Sequence, residues 1–479
     1  MNSRWKKSVL PLPPGPQGLP WIGNTFQMPQ KKQWVHLNNW ANLYGDIYHL
    51  RVFSTQYIVL SSAKAASDLL HTRSSIYSDR PTFVMGGELV GRDVSVVFSH
   101  YGERLRTYRK LLHAYLNPNS SHSHVKDQIE AVDHFLLGIL ENPEETMPRI
   151  RAMTGSIVLR IAYGHIVKGG RDYFVDLAEE LSQMTGEAIQ PGRWLVDSFP
   201  ILRHVPSWFP GAGFKHWAAE KRKRSDEIIF SPLKLVQQQM ANGTALPSFV
   251  SDLLSSTSHS LGPNAQHIIA CVASSFYAAG TDTTASTLET FFLMMILHPE
   301  IQRKAQAEIE AVVGPDRLPD LDDRPLLPYI DCLIKEVYRY HPAAPVILHR
   351  VMKDDEYAGY FIPAGCSIYV NIWAICHDEE NYTDSDRFWP ERFMPDGSRE
   401  LPPDPREFVF GYGRRSCPGK HLGDATVFLC VARTLAAVNI VPALSAMGTL
   451  NTPEIRYTSA PVSHPEHFTC KVTRRSQHL

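Results

Sequence analysis

The sequence has no excess of charge, no paired-cysteine motif and no long hydrophobic run after its basic start. Its formal net charge of -1 gives no electrostatic reason to expect a nucleic-acid partner. Its seven cysteines are odd in number and never spaced CxxC, which argues against a disulfide framework and favours a reducing compartment. Residues 1–12 are followed by no run of about 20 apolar residues, so they predict no transmembrane helix.

The chain also lacks an internal repeat and a long flexible linker. The proline-rich stretch 11–20 predicts a stiff connector. With no later Pro/Gly/Ser-rich break, residues 13–479 are predicted to form one domain, mainly α-helical with smaller β-sheets.

Hydrophobic periodicity places several elements. Short alternating apolar runs predict hairpins over 46–62 and 357–372, the second turning at residues 363–365. Apolar residues at helical spacing predict helices over 299–313 and 326–340.

The longest predicted helix covers residues 264–298 and would span roughly 50 Å. Its ends are apolar, but small and polar residues occupy its middle from Ala278 to Thr284. Gly280 costs about 1 kcal/mol inside a helix. We therefore expect something other than protein to lie against the centre of this helix.

Cys417 lies in a glycine-rich turn, FGYGRRSCPG, before a helix predicted to begin near Lys420. Glycines allow a bulky ligand to approach the backbone closely. A helix N-terminus and the flanking charges of Arg414 and Arg415 favour a thiolate. The alternative is a buried structural cysteine. A phosphate-binding loop is excluded because Ser416 stands where the third glycine of GxGxxG is required.

This turn resembles the heme-binding signature FxxGxRxCxG of the cytochrome P-450 family. Phe410, Gly413, Arg415, Cys417 and Gly419 fill its fixed positions. The resemblance, which extends over about residues 13–472, implies a fold with a long central helix over heme b. It makes Cys417 the axial ligand of the iron and Arg415 a partner of a heme propionate.

AGTDTT at 279–284 resembles the oxygen-activation motif of the same family. The resemblance makes Asp282 and Thr283 an acid–alcohol pair that delivers protons by general acid catalysis, and Gly280 a position that leaves room for dioxygen. Taken alone, such a pair more often makes local side-chain-to-backbone bonds.

KEVYR and FWPERF resemble the ExxR and PERF elements, whose members here are Glu336, Arg339 and Arg392. The resemblance implies a Glu–Arg–Arg network that stabilises the heme-side core and performs no chemistry. Without the family context, an i,i+3 pair is usually a weak surface contact.

The sequence departs from the family where Leu105 replaces an expected tryptophan that would donate an N–H to a propionate. We expect heme binding that is weaker but retained, and Leu105→Trp should tighten it. The remaining propionate partners that the resemblance implies are Arg106, Arg109, Arg415 and either His349 or Arg350.

The family's substrate-contact regions map onto apolar and often small residues, for which ordinary core positions are the alternative. They suit a terpenoid, a polyketide or another apolar scaffold. The candidates are Phe83, Val84, Met85, Phe276, Ala279, Ala343, Val346, Ile347 and Val462.

The resemblance thus implies a heme-dependent monooxygenase, similar to basidiomycete enzymes of secondary metabolism, that inserts one atom of O2 into an apolar small molecule. The chain has no dinucleotide fingerprint, so electrons from NADPH must come through a separate flavoprotein reductase. Its expected docking site surrounds Arg109, Lys110, Arg414 and Lys420.

The family implies a location on the cytoplasmic side of the endoplasmic reticulum, whereas the missing anchor leaves a soluble cytoplasmic form open. Peripheral membrane contact through Trp5, Lys6 and Lys7 is a further hypothesis.

Two other functions stay open from the sequence. The first is a heme-thiolate isomerase or dehydratase that needs no reductase, against which the intact Asp282–Thr283 pair argues. The second is a non-catalytic binding protein in which Cys417 is structural. NADPH consumption coupled to product separates the first from a monooxygenase, and a carbon monoxide difference spectrum separates the second.

Overall fold

A computed structural model describes residues 10–167, 172–190, 192–256, 258–395, 397, 400–444 and 449–475. Trp5, Lys6 and Lys7 therefore lie outside the described residues. Within these ranges the chain is mainly α-helical with small β-sheets, which confirms the predicted fold class. None of the described helices combines the length and hydrophobicity that crossing a bilayer requires.

In chain order, the α-helices of the described residues span Gln33–Tyr44 (α1), Ala63–Ala66 (α2), Ser74–Tyr77 (α3), Glu103–Leu116 (α4), Pro118–His122 (α5), Val125–Glu141 (α6), Thr146–Tyr163 (α7), Tyr173–Ala188 (α8), Leu195–Ser198 (α9), Gly213–Ala241 (α10), Phe249–Ser256 (α11), Ala265–Leu297 (α12), Pro299–Val312 (α13), Pro328–Tyr340 (α14), Ile372–Cys376 (α15), Arg406–Val409 (α16) and Lys420–Ala437 (α17). The strands span Ile47–Val52 (β1), Thr55–Leu60 (β2), Val346–Arg350 (β3), Asp355–Tyr357 (β4), Tyr360–Ile362 (β5), Ser367–Asn371 (β6), Val438–Leu444 (β7), Leu450–Asn451 (β8) and Cys470–Arg474 (β9).

Helix α12 is the predicted long helix, and it packs against α7, α8, α14 and α17. Nearly all of its side chains are buried, which is why it has no polar face. The small residues in the middle of α12 also allow close packing, because a Cβ on Gly280 would lie 3.0 Å from Val158 of α7. On α7 itself, a Cβ on Gly155 would lie 3.2 Å from Val175 of α8. Small residues thus let α7 approach its neighbours closely.

The largest sheet has the strand order β1-β2-β6-β3, with β1 and β2 forming the predicted hairpin. The second predicted hairpin is wrong in its pairing. Strands β4 and β5 pair across a tight turn at Ala358 and Gly359, both at positive φ, whereas β6 leaves them and runs parallel to β2. Residues 363–365 therefore connect two sheets.

Candidate active site around Cys417 and the central helix

The loop before α17 positions Cys417 through its backbone. The Cys417 N–H donates to the Phe410 carbonyl at 2.7 Å, which closes the loop just before α17 begins. Gly413 has φ +50°, and a Cβ there would lie 2.3 Å from the Leu70 carbonyl oxygen. The glycine is therefore required because this loop packs directly on the backbone near α2.

The thiol of Cys417 is partly accessible, whereas the other six cysteines are buried. Burial raises the pKa of the Cys417 thiol, while a backbone N–H of Gly419 and the charges of Arg109 and Lys420 oppose that rise. The Gly419 N–H at the start of α17 and the two cationic side chains thus favour the thiolate, whereas burial opposes it, and the thiolate stays a prediction. A bound metal ion would complete the deprotonation.

Arg415 turns from this loop into the protein and donates to three carbonyl oxygens. Its Nε, Nη1 and Nη2 contact Ser78, Val96 and Ser99 at 2.7, 3.3 and 2.6 Å. Burial, and then the charges of Arg80 and Arg109, lower the pKa of Arg415. The positive side chains of Arg80, Arg109 and Arg415 thus lie close to one another.

The carboxylate that acts on Arg80 and Arg415 is Asp79. It already accepts from His100 at 3.0 Å and from the Tyr101 N–H at 2.9 Å. The cationic group formed by Arg80, Arg109 and Arg415 is therefore poor in counter-charge, and His349 beside it is neutral because burial and these charges keep its pKa far below the usual value. Such a group fits a ligand that carries carboxylates.

His349 and Arg350 of β3 point to opposite faces of the strand. His349 is buried, its Nδ1 pairs with the Tyr77 carbonyl at 2.9 Å, and its Nε2 has no hydrogen-bond partner. Arg350 instead approaches Asp79 at 3.8 Å. Because Nδ1 donates the ring proton to the Tyr77 carbonyl and burial keeps the pKa of His349 far below its usual value, Nε2 is an acceptor and can donate to a propionate only after it takes up a second proton.

Two arginines differ from the sequence prediction. Arg106 is exposed on α4, with its guanidinium 6.0 Å from the Tyr101 ring, so the structure does not bring it into the cationic group. Arg80 belongs to that group but was missed. It lies in an irregular segment, and its placement depends on the bridge between Asp79 and Arg350.

The middle of α12 presents an open face. Ala279 is exposed although the helix around it is buried, so the core has an internal space beside this residue. Thr283 is partly accessible, and its Oγ1 donates to the Ala279 carbonyl at 2.8 Å. A Cβ on Gly280 would lie against Val158, which gives this glycine a packing role, and its place next to dioxygen stays a prediction.

Asp282 turns away from Thr283. Among the described residues its side chain accepts from Ser182 of α8 and from His464, the latter at 2.9 Å. Burial raises the pKa of Asp282, but the contacts with His464 and Ser182 outweigh it and the pKa is lowered. His464 was missed by sequence reasoning because it lies far along the chain in a segment without periodicity.

Residues 13–445 match the sequence profile of the cytochrome P450 family. The chain belongs to the cytochrome P450 family. It is similar to cytochrome P450 monooxygenase 208 of Postia placenta, with 41% identity over 97% of this chain and 91% of that protein. Cytochrome P450 monooxygenase claR of Ampulloclitocybe clavipes is 40% identical over 97% and 87%, respectively. Cytochrome P450 monooxygenase COX1 of Coprinopsis cinerea is 37% identical over 98% and 92%.

The chain is thus a fungal cytochrome P450 monooxygenase, and heme b is its cofactor. The residues described above fit that group: a partly accessible thiol, a cationic cluster poor in counter-charge and an open helix face. Dioxygen activation is the chemistry that heme supplies when bound.

The structure divides the nine predicted substrate residues of this cytochrome P450. Met85 is 0% exposed and Val84 2%, and they pack with α8, so both are core and not cavity wall. Phe276 is also buried, with its ring edge-on to Phe249 at 6.2 Å. The candidates that keep accessible surface are Phe83, Ala279, Ala343, Val346, Ile347 and Val462.

Leu105 of the cytochrome P450 is buried in the main hydrophobic core. It lines a cavity of about 580 Å³ between α4 and the Cys417 loop. The propionate contact that a tryptophan would make is replaced here by apolar packing, and the expected gain in heme retention from Leu105→Trp stays a prediction.

The three residues of the Glu–Arg–Arg network are almost fully buried. Arg339 binds both carboxylate oxygens of Glu336, at 2.7 and 2.8 Å. Arg392 approaches the same carboxylate at 3.2 Å. Further N–H groups of both arginines donate to backbone carbonyls, those of Cys376, Thr383, Ser385 and Arg387.

Proposed function

We propose that Cys417 is the thiolate ligand of the heme iron and that this enzyme inserts one oxygen atom of O2 into an apolar small molecule. One observation carries the proposal. Cys417 keeps some accessible surface and lies beside the positive charges of Arg109 and Lys420. A structural cysteine in the core has no need of such neighbours.

Different residues of the protein bind the heme and move protons. Arg80, Arg109 and Arg415 hold the propionates and so fix the orientation of the heme, and His349 joins them by taking up a second proton at Nε2. Thr283 lies on the open face of α12, and Asp282, which turns from it toward His464, supplies its protons through water. An acid and a hydroxyl on one helix can pass a proton directly or through a water molecule.

The side chains that face the substrate in this proposal are apolar, and two of them are small. Ala279 and Ala343 leave space, while Phe83 and Val462 supply apolar surface, which suits a terpenoid or polyketide scaffold. We place the reaction in secondary metabolism. Comparison of the metabolites of a deletion strain with its parent tests this assignment, and an unchanged apolar metabolite profile would contradict it.

A carbon monoxide difference spectrum of the reduced protein tests the ligand. Wild type and Cys430→Ala, in which a buried cysteine of α17 is removed, should give the Soret shift typical of a thiolate ligand. Cys417→Ala should lose it. Cys417→Ser tests the same point with a smaller change of volume. A thiolate-type shift that survives in Cys417→Ala would overturn the proposal.

The reductase is proposed to dock over the cavity beside Cys417. Arg106, Lys110, Arg414, Lys420 and His421 are exposed around it, and its described lining contains no acidic residue. Charge of one sign steers an acidic partner, and the effect weakens with salt.

Charge reversal tests this docking surface. The Arg106→Glu/Lys110→Glu variant should slow NADPH-supported reduction at low salt without changing the carbon monoxide spectrum, while Lys353→Glu on an exposed loop should have no effect. Equal reduction rates for both variants would exclude this surface.

Two exposed apolar segments support peripheral contact with the endoplasmic reticulum membrane. Trp21 of the connector is 90% exposed and Trp208, after α9, is 80% exposed. The segments are neighbours, because Phe53, whose N–H donates to the Ile22 carbonyl, meets the Phe199 ring edge-on with the ring centroids 4.8 Å apart. Flotation with anionic vesicles should recover wild type, and Trp21→Ser/Trp208→Ser should stay in the soluble fraction. Full recovery of wild type in the soluble fraction would exclude membrane contact.

A further inference from the structure

His464 lies at the end of a C-terminal segment, residues 458–464, that crosses α12. Its Nε2 contacts Asp282 Oδ1 at 2.9 Å and its Nδ1 contacts Glu289 Oε2 at 2.8 Å. Both ring nitrogens thus meet a carboxylate of the same helix. An imidazole can donate to both carboxylates only when it carries two protons.

The contacts continue to the protein surface. Glu289 is buried, and its other oxygen accepts from Arg151 Nε of α7 at 2.8 Å. Arg151 is half-exposed and also binds Glu179 of α8 at 2.9 Å. The chain from Asp282 through His464 and Glu289 therefore reaches solvent at Arg151.

The charge of the imidazole follows from these partners. Burial alone would lower its pKa, but the hydrogen bonds to Asp282 and Glu289 raise the pKa of His464 to about 9. The same contact keeps the pKa of Asp282 below its usual value. At neutral pH the pair is an imidazolium and a carboxylate.

We propose that His464 is a positioning residue for Asp282 that also supplies the proton that Asp282 passes on. The proposal deepens the proposed function, since it rests on Asp282 serving as the acid of the pair with Thr283. The geometry that supports it is the double contact of one imidazole with Asp282 and Glu289.

The proton balance is simple. The N–H bond at Nε2 of His464 breaks and an O–H bond forms at Oδ1 of Asp282, so an ion pair becomes a neutral pair. The proton on Nδ1 stays and continues to donate to Glu289. The O–H bond of Asp282 then breaks as the proton passes toward Thr283, and solvent that reaches the side chain of Asp282, which is 25% exposed, returns a proton to Nε2 and restores the ion pair.

Four elements face His464 with titratable or charged groups. Helix α12 contributes Asp282 and Glu289, and α7 contributes Arg151. Glu179 lies beyond Arg151 on α8. His341, after α14, contacts Ser463 Oγ at 2.9 Å, and burial keeps the pKa of this histidine far below its usual value, so it stays neutral.

His341 also provides a matched control. It holds the same segment as His464 through Ser463, stacks on Tyr457 and makes no contact with Asp282. His464→Gln keeps one N–H donor but cannot become a cation. If the role is positioning and proton supply, His464→Gln should change proton-dependent steps, and His341→Gln should not.

The enzyme experiment compares these variants with their carbon monoxide spectra intact. We expect the wild-type rate to decline above about pH 9; His464→Gln should lack this decline and should lower product formed per NADPH consumed by roughly 10-fold or more. His341→Gln should keep the wild-type pH profile. Equal effects of both variants, or an unchanged pH profile in His464→Gln, would show a merely structural anchor and overturn the proposal.

A measurement independent of turnover follows the imidazole itself. In the holoenzyme with ¹³C-labelled histidine, the signal absent from His464→Gln should titrate near pH 9, and Asp282→Asn should lower that midpoint. If His464→Gln does not fold, the signal displaced by Asp282→Asn identifies the residue. Titration at or below about pH 6.5 would overturn the proposal. Failure of the proposed function is recognised separately, since wild type would then lack the carbon monoxide shift.

Discussion

Two buried ionic networks of this cytochrome P450 both pair carboxylates with basic side chains, but they differ in whether they can exchange a proton. In the first, Arg339 and Arg392 surround Glu336, and all three are nearly excluded from solvent. In the second, His464 joins Asp282 to Glu289 and remains in reach of water. Each network joins a helix to a segment far away in the chain.

The difference lies in the partners. The arginines of the first network keep their charge at any physiological pH, and backbone carbonyls take up their remaining N–H groups. The second network is built around an imidazole that titrates. A network with permanent charges and full pairing can hold structure, whereas one with an exchangeable proton can also take part in chemistry.

The largest effect is expected where the first network is broken. Glu336→Gln keeps the size of the side chain but leaves two buried guanidinium groups without a counter-charge. Loss of one partner of a buried ion pair costs about 3–5 kcal/mol, so little folded, heme-loaded protein should accumulate. Denaturant unfolding and heme content measure the loss.

The control is an exposed pair. Lys304, 58% exposed, binds Glu391, and Lys304→Met should cost less than about 1 kcal/mol. If Glu336→Gln were as stable as Lys304→Met, the first network would not be a structural device and the contrast between the two networks would disappear.

A smaller and pH-dependent effect is expected from the second network. The folded pKa of His464, about 9, exceeds the unfolded value of about 6.5, so its stabilisation is complete below pH 6.5 and lost as the pH rises through 9. Asp282, whose pKa is lowered, contributes above its unfolded pKa and loses this as the pH falls. The melting-temperature difference between wild type and His464→Gln should therefore shrink from pH 6.5 to 9.5. A pH-independent difference would contradict the imidazolium.

How much the sequence reveals differs between the two networks for a physical reason. Glu336 and Arg339 are three residues apart on one helix, so their spacing in the sequence predicts that they pair. His464 meets Asp282 across 182 residues and from a segment without regular structure. Such a contact arises only from tertiary packing, so no periodic pattern in the sequence predicts it.

The same reason explains the site. The Cys417 turn and the α12 motif are local and could be predicted, as could the fold class. Met85 could not be told from a cavity residue, because apolar side chains look alike until packing encloses them. Arg80 was missed because its neighbours come from three distant segments.

The smallest effect is expected from Ser182, the neutral partner of Asp282. Ser182→Ala removes one hydroxyl donor to a carboxylate that keeps its imidazolium, so the loss should be about 1–2 kcal/mol. Ser156→Ala on α7 removes a hydroxyl that donates only to its own helix, at 2.8 Å, and should stay within about 0.5 kcal/mol of wild type. The pH profile of Ser182→Ala should remain that of wild type, because the exchangeable proton sits on His464. If Ser182→Ala removed the alkaline decline in rate as His464→Gln does, the hydroxyl would be the group that controls Asp282, and the titrating imidazole would not distinguish the second network from the first.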